Sequence, residues 1–185
     1  MSFSRAQCSV LFWAFLQADC GNCPQDYCEE LRSLKKSTKT SLYHSFYGDY
    51  ETDCDLEADG LSPSIRISLE DLEPSADVHV PENIQQVAAE IREIAAQFEP
   101  NIVNRATLSL TRNIMGSSIE HWNGYIHQEV QHVLRHGVAL ANLRSELVVA
   151  ALTFTLVKRV CLQAPTLLRS LFDTTLRYLN SEGAR

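Results

Sequence analysis

The sequence predicts an all-α fold, a bundle of seven or eight helices in a single domain that spans residues 1–185. Apolar residues recur at helical spacing along most of the chain, and no segment alternates in the way that a strand does. The segment LVVAALTFTLV, residues 147–157, is apolar on every side, which is typical of a helix at the centre of a bundle. We therefore expect amphipathic helices packed around one or two apolar helices.

Start and stop signals divide the chain into its helices. Pro165 suits the first turn of a helix, where a missing N–H loses no hydrogen bond. Pro100 and Gly116 are expected to end helices, and Ser117 or Ser118 is expected to cap the helix that follows. The helices are predicted at residues 5–18, 24–36, 81–99, 101–115, 118–136 and 142–164, with a final helix after Pro165.

The charge of the chain narrows the classes of partner. A net charge of −7 makes nucleic acid an unexpected partner. Residues 1–59 carry five basic and ten acidic side chains, and residues 60–185 carry eleven and thirteen. Removal of residues 1–59 would shed most of the negative charge, which would favour an anionic membrane for the remaining fragment. No apolar stretch reaches the roughly 18 residues that a membrane-spanning helix needs.

The cysteines and histidines indicate neither a metal site nor an enzyme. Four of the six cysteines lie near the first helices: Cys8, Cys20, Cys23 and Cys28. We expect reduced thiols in the cytosol, because disulfide scaffolds are shorter and richer in cysteine, and a zinc site would need a second C-x-x-C. His127, His132 and His136 share one predicted helix without the H-E-x-x-H spacing. A Cys–His nucleophile pair would need a strained turn or an oxyanion loop, so we predict no catalytic residue, cofactor or metal ligand.

The segment 37–80 is predicted to be a long loop, because about 44 residues exceed an ordinary connection between helices. It is acidic and contains LEADG at residues 56–60, which a protease could thread as an extended strand. Leu-Glu-x-Asp followed by Gly is the pattern that an initiator caspase of the caspase-8 type favours. We expect cleavage between Asp59 and Gly60, with Asp53, which follows Tyr-Glu-Thr, as a second candidate.

Two hydroxyl groups in this loop are candidate phosphorylation sites. Thr52 and Ser68 each precede acidic residues, which is the setting that acidophilic kinases prefer. A phosphate close to Asp59 would add negative charge next to the scissile bond and is expected to impede the protease.

The helix predicted at 81–99 carries one apolar stripe. Its members are Ile84, Val87, Ile91, Ile94 and Phe98, separated by three, four, three and four residues, so that they lie on one face. Taken alone, such a stripe more often faces the core of its own protein than a partner.

Several segments together resemble the Bcl-2 family. CSVLFWAFLQADC, residues 8–20, is similar to the first helix of a pro-apoptotic member, and the stripe lies where such members carry the BH3 helix. The strongest likeness is residues 147–180, LVVAALTFTLVKRVCLQAPTLLRSLFDTTLRYLN, which resembles a central helix, a proline turn and the final helices nearly position by position. The resemblance implies a Bcl-2-like bundle with a cleavage loop ahead of the BH3 helix.

The resemblance also implies a function. The intact protein would be latent in the cytoplasm, and caspase-8 would release an active fragment, residues 60–185, to the mitochondrial outer membrane. Its BH3 helix would engage Bax, Bak and anti-apoptotic Bcl-2 relatives, and would promote membrane permeabilisation and cytochrome c release. In such helix-in-groove recognition the apolar stripe would fill successive pockets of the partner. The alternative is a non-apoptotic helical adaptor or lipid-binding protein whose loop is incidental.

Membrane contact would follow cleavage. The new terminus, Gly60-Leu61-Ser62-Pro63-Ser64, fits an N-myristoylation pattern, which makes Gly60 a lipidation candidate. One acyl chain binds membrane only marginally, so a second contact is needed. The apolar helix is expected to supply that contact through Leu147, Val148, Leu152, Phe154, Leu156, Lys158 and Arg159.

The BH3 resemblance has one departure. The family pattern places a small residue, often glycine, and then aspartate after the third hydrophobic position, where this chain has Ala95 and Ala96. The family's aspartate pairs with an arginine in the partner's groove, and loss of one member of such a pair costs roughly 2–5 kcal/mol. The alanine pair is what an engineered inactivation of Gly-Asp would leave, and a divergent form could also carry it.

Overall fold

Helices make up almost all of the ordered chain. The computed structural model describes residues 4–18, 20–46, 82–136 and 145–182, and within these ranges it contains seven α-helices, three short 3-10 turns and no strand. The predicted all-α, Bcl-2-like bundle is therefore confirmed. The helices are α1 Arg5–Gln17, α2 Gln25–Phe46, α3 Glu82–Ala96, α4 Pro100–Met115, α5 Trp122–His136, α6 Ser145–Gln163 and α7 Leu168–Glu182.

Helix α6 is the centre of the bundle, as the sequence predicts. It packs against α1, α3, α4, α5 and α7, and it is buried on all sides over most of its length. Its two interior threonines need no partner from another helix, because the hydroxyl of Thr153 donates to the Val149 carbonyl and that of Thr155 to the Ala151 carbonyl, both at 2.7 Å. An apolar helix with self-satisfied hydroxyls can lie inside a core without an unpaired polar group.

Helix α1 is joined to the core by stacked aromatic rings. The Ser4 hydroxyl and the Gln7 side chain form a reciprocal capping box at its start. Farther along, the ring of Phe12 stacks on Phe154 of α6 at 4.5 Å between centroids and on Phe172 of α7 at 5.1 Å. Stacked rings contribute more than their buried area alone, so α1 is firmly held against the carboxy-terminal helices.

Helix α2 is longer than the sequence prediction. It was expected to end at Lys36, whereas it continues to Phe46, so the segment without regular structure does not begin at residue 37. Residues 37–46 contain neither glycine nor proline, and the first such residue is Gly48. Because extending an existing helix adds one hydrogen bond for each residue fixed, a segment with no breaking residue tends to continue the helix.

Helix α3 is shorter than the predicted range 81–99. It ends at Ala96, and Glu99 is extended, with φ −64° and ψ 121°. The residue before a proline is sterically disfavoured in the helical region, which explains why the helix stops short of Pro100. Phe98 therefore lies beyond the helix, although its side chain is still buried in the core.

The start of α5 also differs from the prediction. Residues Ile119–His121 form a 3-10 turn, and the α-helix begins only at Trp122. Ser118 precedes this turn, but its hydroxyl contacts Nδ1 of His121 at 3.0 Å and does not bond to a backbone N–H. Among the helices described, none has both the length and the apolar character that crossing a bilayer requires.

Candidate partner-binding helix

The apolar stripe of α3 faces the interior of the bundle. α3 packs against α6 and α1, and four stripe residues are at most 6% exposed: Ile84, Ile91, Ile94 and Phe98. Ala88, which the stripe prediction passed over because alanine is weakly apolar, is also buried in this face. Val87 is only half-buried. The surface predicted to fill a partner's pockets is thus withdrawn from solvent.

Local signals fix where α3 begins and ends. Glu82 stands in the first turn, where a negative side chain is favourable at the positive end of the helix dipole. The Ile84 amide donates to the Asn83 side-chain oxygen at 2.9 Å, which satisfies a backbone donor that the first turn leaves unpaired. At the other end, the Gln97 side chain donates to the Glu93 carbonyl at 3.3 Å.

The two alanines of the BH3-like motif lie at the edge of the buried face. Ala95 is half-buried and packs against the core, and Ala96 is exposed. Both line a groove of about 440 Å³ between α1, α3 and α6, together with three cationic side chains: Arg92, Lys158 and Arg159. No carboxylate lines this groove, so a negative charge introduced at position 96 would lie in cationic surroundings.

Lys158 has a structural role in the bundle. Its ammonium group donates to the carbonyls of Phe15 at 3.3 Å and Ala18 at 2.6 Å, at the carboxy-terminal end of α1. Cations are favourable at this end of a helix, where the last carbonyls have no partner within the helix. Arg159, the next residue, hydrogen-bonds to the side chain of Asn104 on α4. Both residues predicted to contact a membrane are thus engaged inside the folded protein.

The other predicted membrane contacts are in the core. Leu147, Val148, Leu152, Phe154 and Leu156 are each at most 5% exposed. They would reach a lipid surface only if the bundle opened, because their side chains are already covered by neighbouring helices. The sequence-based prediction did not anticipate this burial, since an apolar residue looks the same whether it faces lipid or protein.

The proposed processing sites lie outside the described residues. These are the cleavage candidates Asp53, Asp59 and Gly60 and the phosphorylation candidates Thr52 and Ser68. In sequence they fall between the end of α2 at Phe46 and the start of α3 at Glu82. A cut there would leave α1 and α2 on one piece and α3 to α7 on the other, with α1 still packed against α3, α6 and α7.

The cysteines described are free thiols: Cys8, Cys20, Cys23, Cys28 and Cys161. Burial raises the pKa of the Cys8 thiol to about 11 and also raises the pKa of Cys161. Burial is likewise the main reason why the pKa of Cys20 rises to about 11, with a further contribution from its hydrogen bond to Cys28. Buried neutral thiols such as Cys8 and Cys161 behave as small apolar residues.

The three histidines of α5 have separate neighbours. Nδ1 of His127 lies 3.4 Å from a carboxylate oxygen of Glu182, near the end of α7. The rings of His132 and His136 are 4.8 Å apart between centroids. Within the ranges that the structure describes, no three histidine, cysteine or acidic side chains come together in a way that could hold a metal ion.

Sequence reasoning missed the contacts that hold α3 in place. Arg92 was read as part of the solvated face, and nothing in the sequence predicted that it would share a groove with Lys158 and Arg159. The stacking of Phe12 between two rings also could not be predicted, because its partners lie more than 140 residues away in the chain. A helical wheel gives the face of each helix but does not give the helix that covers it.

The fold and the buried apolar helix define a class, that of Bcl-2-like helical bundles with a BH3-type segment. A family model described as BH3 interacting domain (BID) matches residues 5–183, and the chain belongs to this family. It is similar to the BH3-interacting domain death agonist of Gallus gallus, with 26% identity over 178 residues, 92% of this chain and 86% of the chicken protein. No solved structure matches significantly. Membership makes the chain a pro-apoptotic BH3-only regulator with partners in the Bcl-2 family.

Proposed function

We propose that the protein is a latent death agonist that proteolysis activates. Caspase-8 cleaves after Asp59, and the fragment 60–185 moves from the cytoplasm to the mitochondrial outer membrane, aided by an acyl chain on Gly60. There α3 engages Bax, Bak and anti-apoptotic Bcl-2 relatives, and cytochrome c is released. The observation that supports latency is the burial of the α3 stripe between α1 and α6.

The energy of this burial explains why a partner is needed. Each fully buried isoleucine or phenylalanine contributes about 1.5–3 kcal/mol relative to exposure, so the four buried stripe residues together represent roughly 6–12 kcal/mol. A free α3 in water would lose that contribution. A groove or a membrane that buries the same side chains again would restore most of it, which makes release of α3 conditional on a binding surface.

Cleavage between α2 and α3 would act on the stability of this closed state. While the chain is continuous, α1 returns to its position beside α3 whenever it detaches, because the linker keeps its effective concentration high. After cleavage, α1 and α2 are held only by contacts such as the Phe12 stack and the Lys158 hydrogen bonds. A partner can then compete with a segment that diffuses away once it has dissociated.

The test is cytochrome c release from isolated mitochondria. The full-length protein is added intact and after caspase-8 digestion, with Asp59→Glu as the matched control that keeps the charge and removes the cleavage site. We expect release from the digested protein, and none from the intact protein or from digested Asp59→Glu.

The result also separates the proposal from the adaptor alternative. Digested protein that is cleanly cut after Asp59 but releases no cytochrome c, and still releases none when Ala96 is replaced by aspartate, would contradict the proposal. Equal release with and without digestion would contradict latency.

A further inference from the structure

Two thiols meet where α1 passes into α2. Cys20 lies in the 3-10 turn Cys20–Asn22, and Cys28 lies in the first turns of α2. Their sulfur atoms are 3.3 Å apart, and the Cys28 thiol also lies 3.6 Å from the carbonyl oxygen of Cys20. Both residues are half-buried, so a small solute can reach them, whereas Cys8 and Cys161 are covered.

We propose that Cys20 and Cys28 form a reversible redox site, which hydrogen peroxide converts into a disulfide. A disulfide bond is about 2.05 Å long, so the two sulfur atoms need to approach each other by little more than 1 Å. The end of a 3-10 turn and the first turns of a helix can allow such a movement, because neither residue lies in the fully packed interior.

The reaction balances with peroxide as the oxidant. The Cys28 thiolate attacks one peroxide oxygen, the O–O bond breaks, and with one proton the products are a Cys28 sulfenic acid and water. The Cys20 sulfur then attacks the sulfenic sulfur, and the hydroxyl group leaves as a second water after taking the Cys20 proton. Overall, two thiols lose two hydrogens and one peroxide becomes two waters. A dithiol reductant reverses the change.

The surroundings assign the two roles. Burial and the hydrogen bond to Cys28 raise the pKa of Cys20 to about 11, so Cys20 stays protonated at neutral pH and suits the resolving step. The site goes beyond the proposed function, since it concerns only the α1–α2 junction. Tyr27, fully buried beside the pair, already ties α2 to α1 through a 3.0 Å hydrogen bond from its hydroxyl to the Leu16 carbonyl. The disulfide would add a covalent tie at the same junction.

The test is peptide mapping of the full-length protein after peroxide treatment. The reduced protein is exposed to hydrogen peroxide at neutral pH, alkylated and digested under non-reducing conditions with a protease that cuts before aspartate. Cuts before Asp19, Asp26 and Asp49 place Cys20 and Cys23 on the peptide 19–25 and Cys28 on the peptide 26–48. Tandem mass spectrometry then identifies the linked sulfurs.

We expect a linked pair of these two peptides, joined through Cys20 and Cys28 and released by dithiothreitol. Cys23→Ser is the matched control and should keep the link, whereas Cys28→Ser should abolish it. Circular dichroism confirms that each variant is helical. A Cys20–Cys23 link within the peptide 19–25, a link to Cys8 or Cys54, or thiols that stay reduced in excess peroxide would overturn the proposal, and the untreated sequence alone suffices to observe each of these.

Discussion

Position 96 connects the buried state of α3 with its binding state. Ala96 is exposed at the end of the helix and lines the groove that also contains Arg92, Lys158 and Arg159. In the folded bundle it makes little difference to the core, because it lies outside the buried face. In a partner's groove, the family pattern places an acidic residue here.

Replacing Ala96 by aspartate should therefore strengthen partner binding without unfolding the bundle. The new carboxylate would pair with an arginine in the groove of an anti-apoptotic relative, for a gain of roughly 2–5 kcal/mol, or about 30-fold to several thousandfold in affinity. The stability of the intact protein should change by at most about 1 kcal/mol, because the pairing with the three nearby cations would be partly exposed.

Isothermal titration of an α3 peptide against such a relative measures the affinity, and urea unfolding measures the stability. Ala96→Asn is the matched control, since it has the shape of aspartate without its charge. An affinity for Ala96→Asp no higher than that for Ala96→Asn would show that position 96 does not face a cation in the complex.

Ile91 carries more of the stability of the bundle than any residue on the solvent side of α3. Its side chain is 1% exposed, so Ile91→Ala should lower the free energy of unfolding by about 2–5 kcal/mol through lost burial and a residual cavity. Glu90, its exposed neighbour, is the control, and Glu90→Ala should change stability by about 0.5 kcal/mol or less. Urea unfolding followed by circular dichroism measures both. Equal losses for the two variants would mean that α3 is not packed as described.

At the scale of elements, α1 is the helix that keeps α3 covered. It packs against α3, α6 and α7, and the Phe12 ring lies between those of Phe154 and Phe172. Because α1 and α3 lie on opposite sides of the proposed cleavage site, the contacts of α1 determine how long the cleaved protein stays closed.

Phe12→Ala should speed the separation of the two pieces after cleavage. Loss of a buried phenylalanine costs about 3–5 kcal/mol, and where that loss falls on the closed state it accelerates dissociation by two orders of magnitude or more, on the order of a factor of ten for each 1.4 kcal/mol. A fluorophore on each piece reports separation by loss of energy transfer. Phe12→Leu, which keeps most of the apolar volume, should have a much smaller effect. If both variants separate at the rate of the native sequence, α1 does not control opening.

The limits of the helices were only partly predictable from the sequence. Proline marked the boundary between α3 and α4, but the rule for the residue before proline moved the end of α3 back to Ala96. The end of α2 was placed ten residues early, because a polar stretch without apolar periodicity looks like a loop even when nothing in it breaks a helix. In both cases the type of element was predicted correctly and its end was not.

For the whole molecule, buried neutral groups make stability depend on pH at the alkaline end. Burial raises the pKa of Cys8 from 9.0 to about 11, and it raises the pKa values of Tyr27, Cys161 and Tyr178 as well. A group with a raised pKa in the folded state contributes its full stability below the unfolded pKa and loses it as pH rises through the folded pKa. All four groups therefore act in the same direction.

We expect the free energy of unfolding to fall between pH 9 and pH 11, with about 2–3 kcal/mol of the loss attributable to Cys8. Urea unfolding at a series of pH values, in the presence of a reductant, measures the slope. Cys8→Ala removes this titrating group and should give a visibly flatter curve. A native curve that is flat over this range, or one that Cys8→Ala leaves unchanged, would contradict the burial of Cys8.

The sequence by itself determined the all-α class, the central apolar helix, the stripe on α3 and the family resemblance. These follow from periodicity and from local start and stop signals, which depend on near neighbours in the chain. Only the tertiary structure decided that the stripe is covered, that Lys158 closes the end of α1 and that Cys20 meets Cys28. The physical reason is that an apolar face must be buried somewhere, and the sequence does not specify which surface buries it. That choice depends on how all seven described helices pack together.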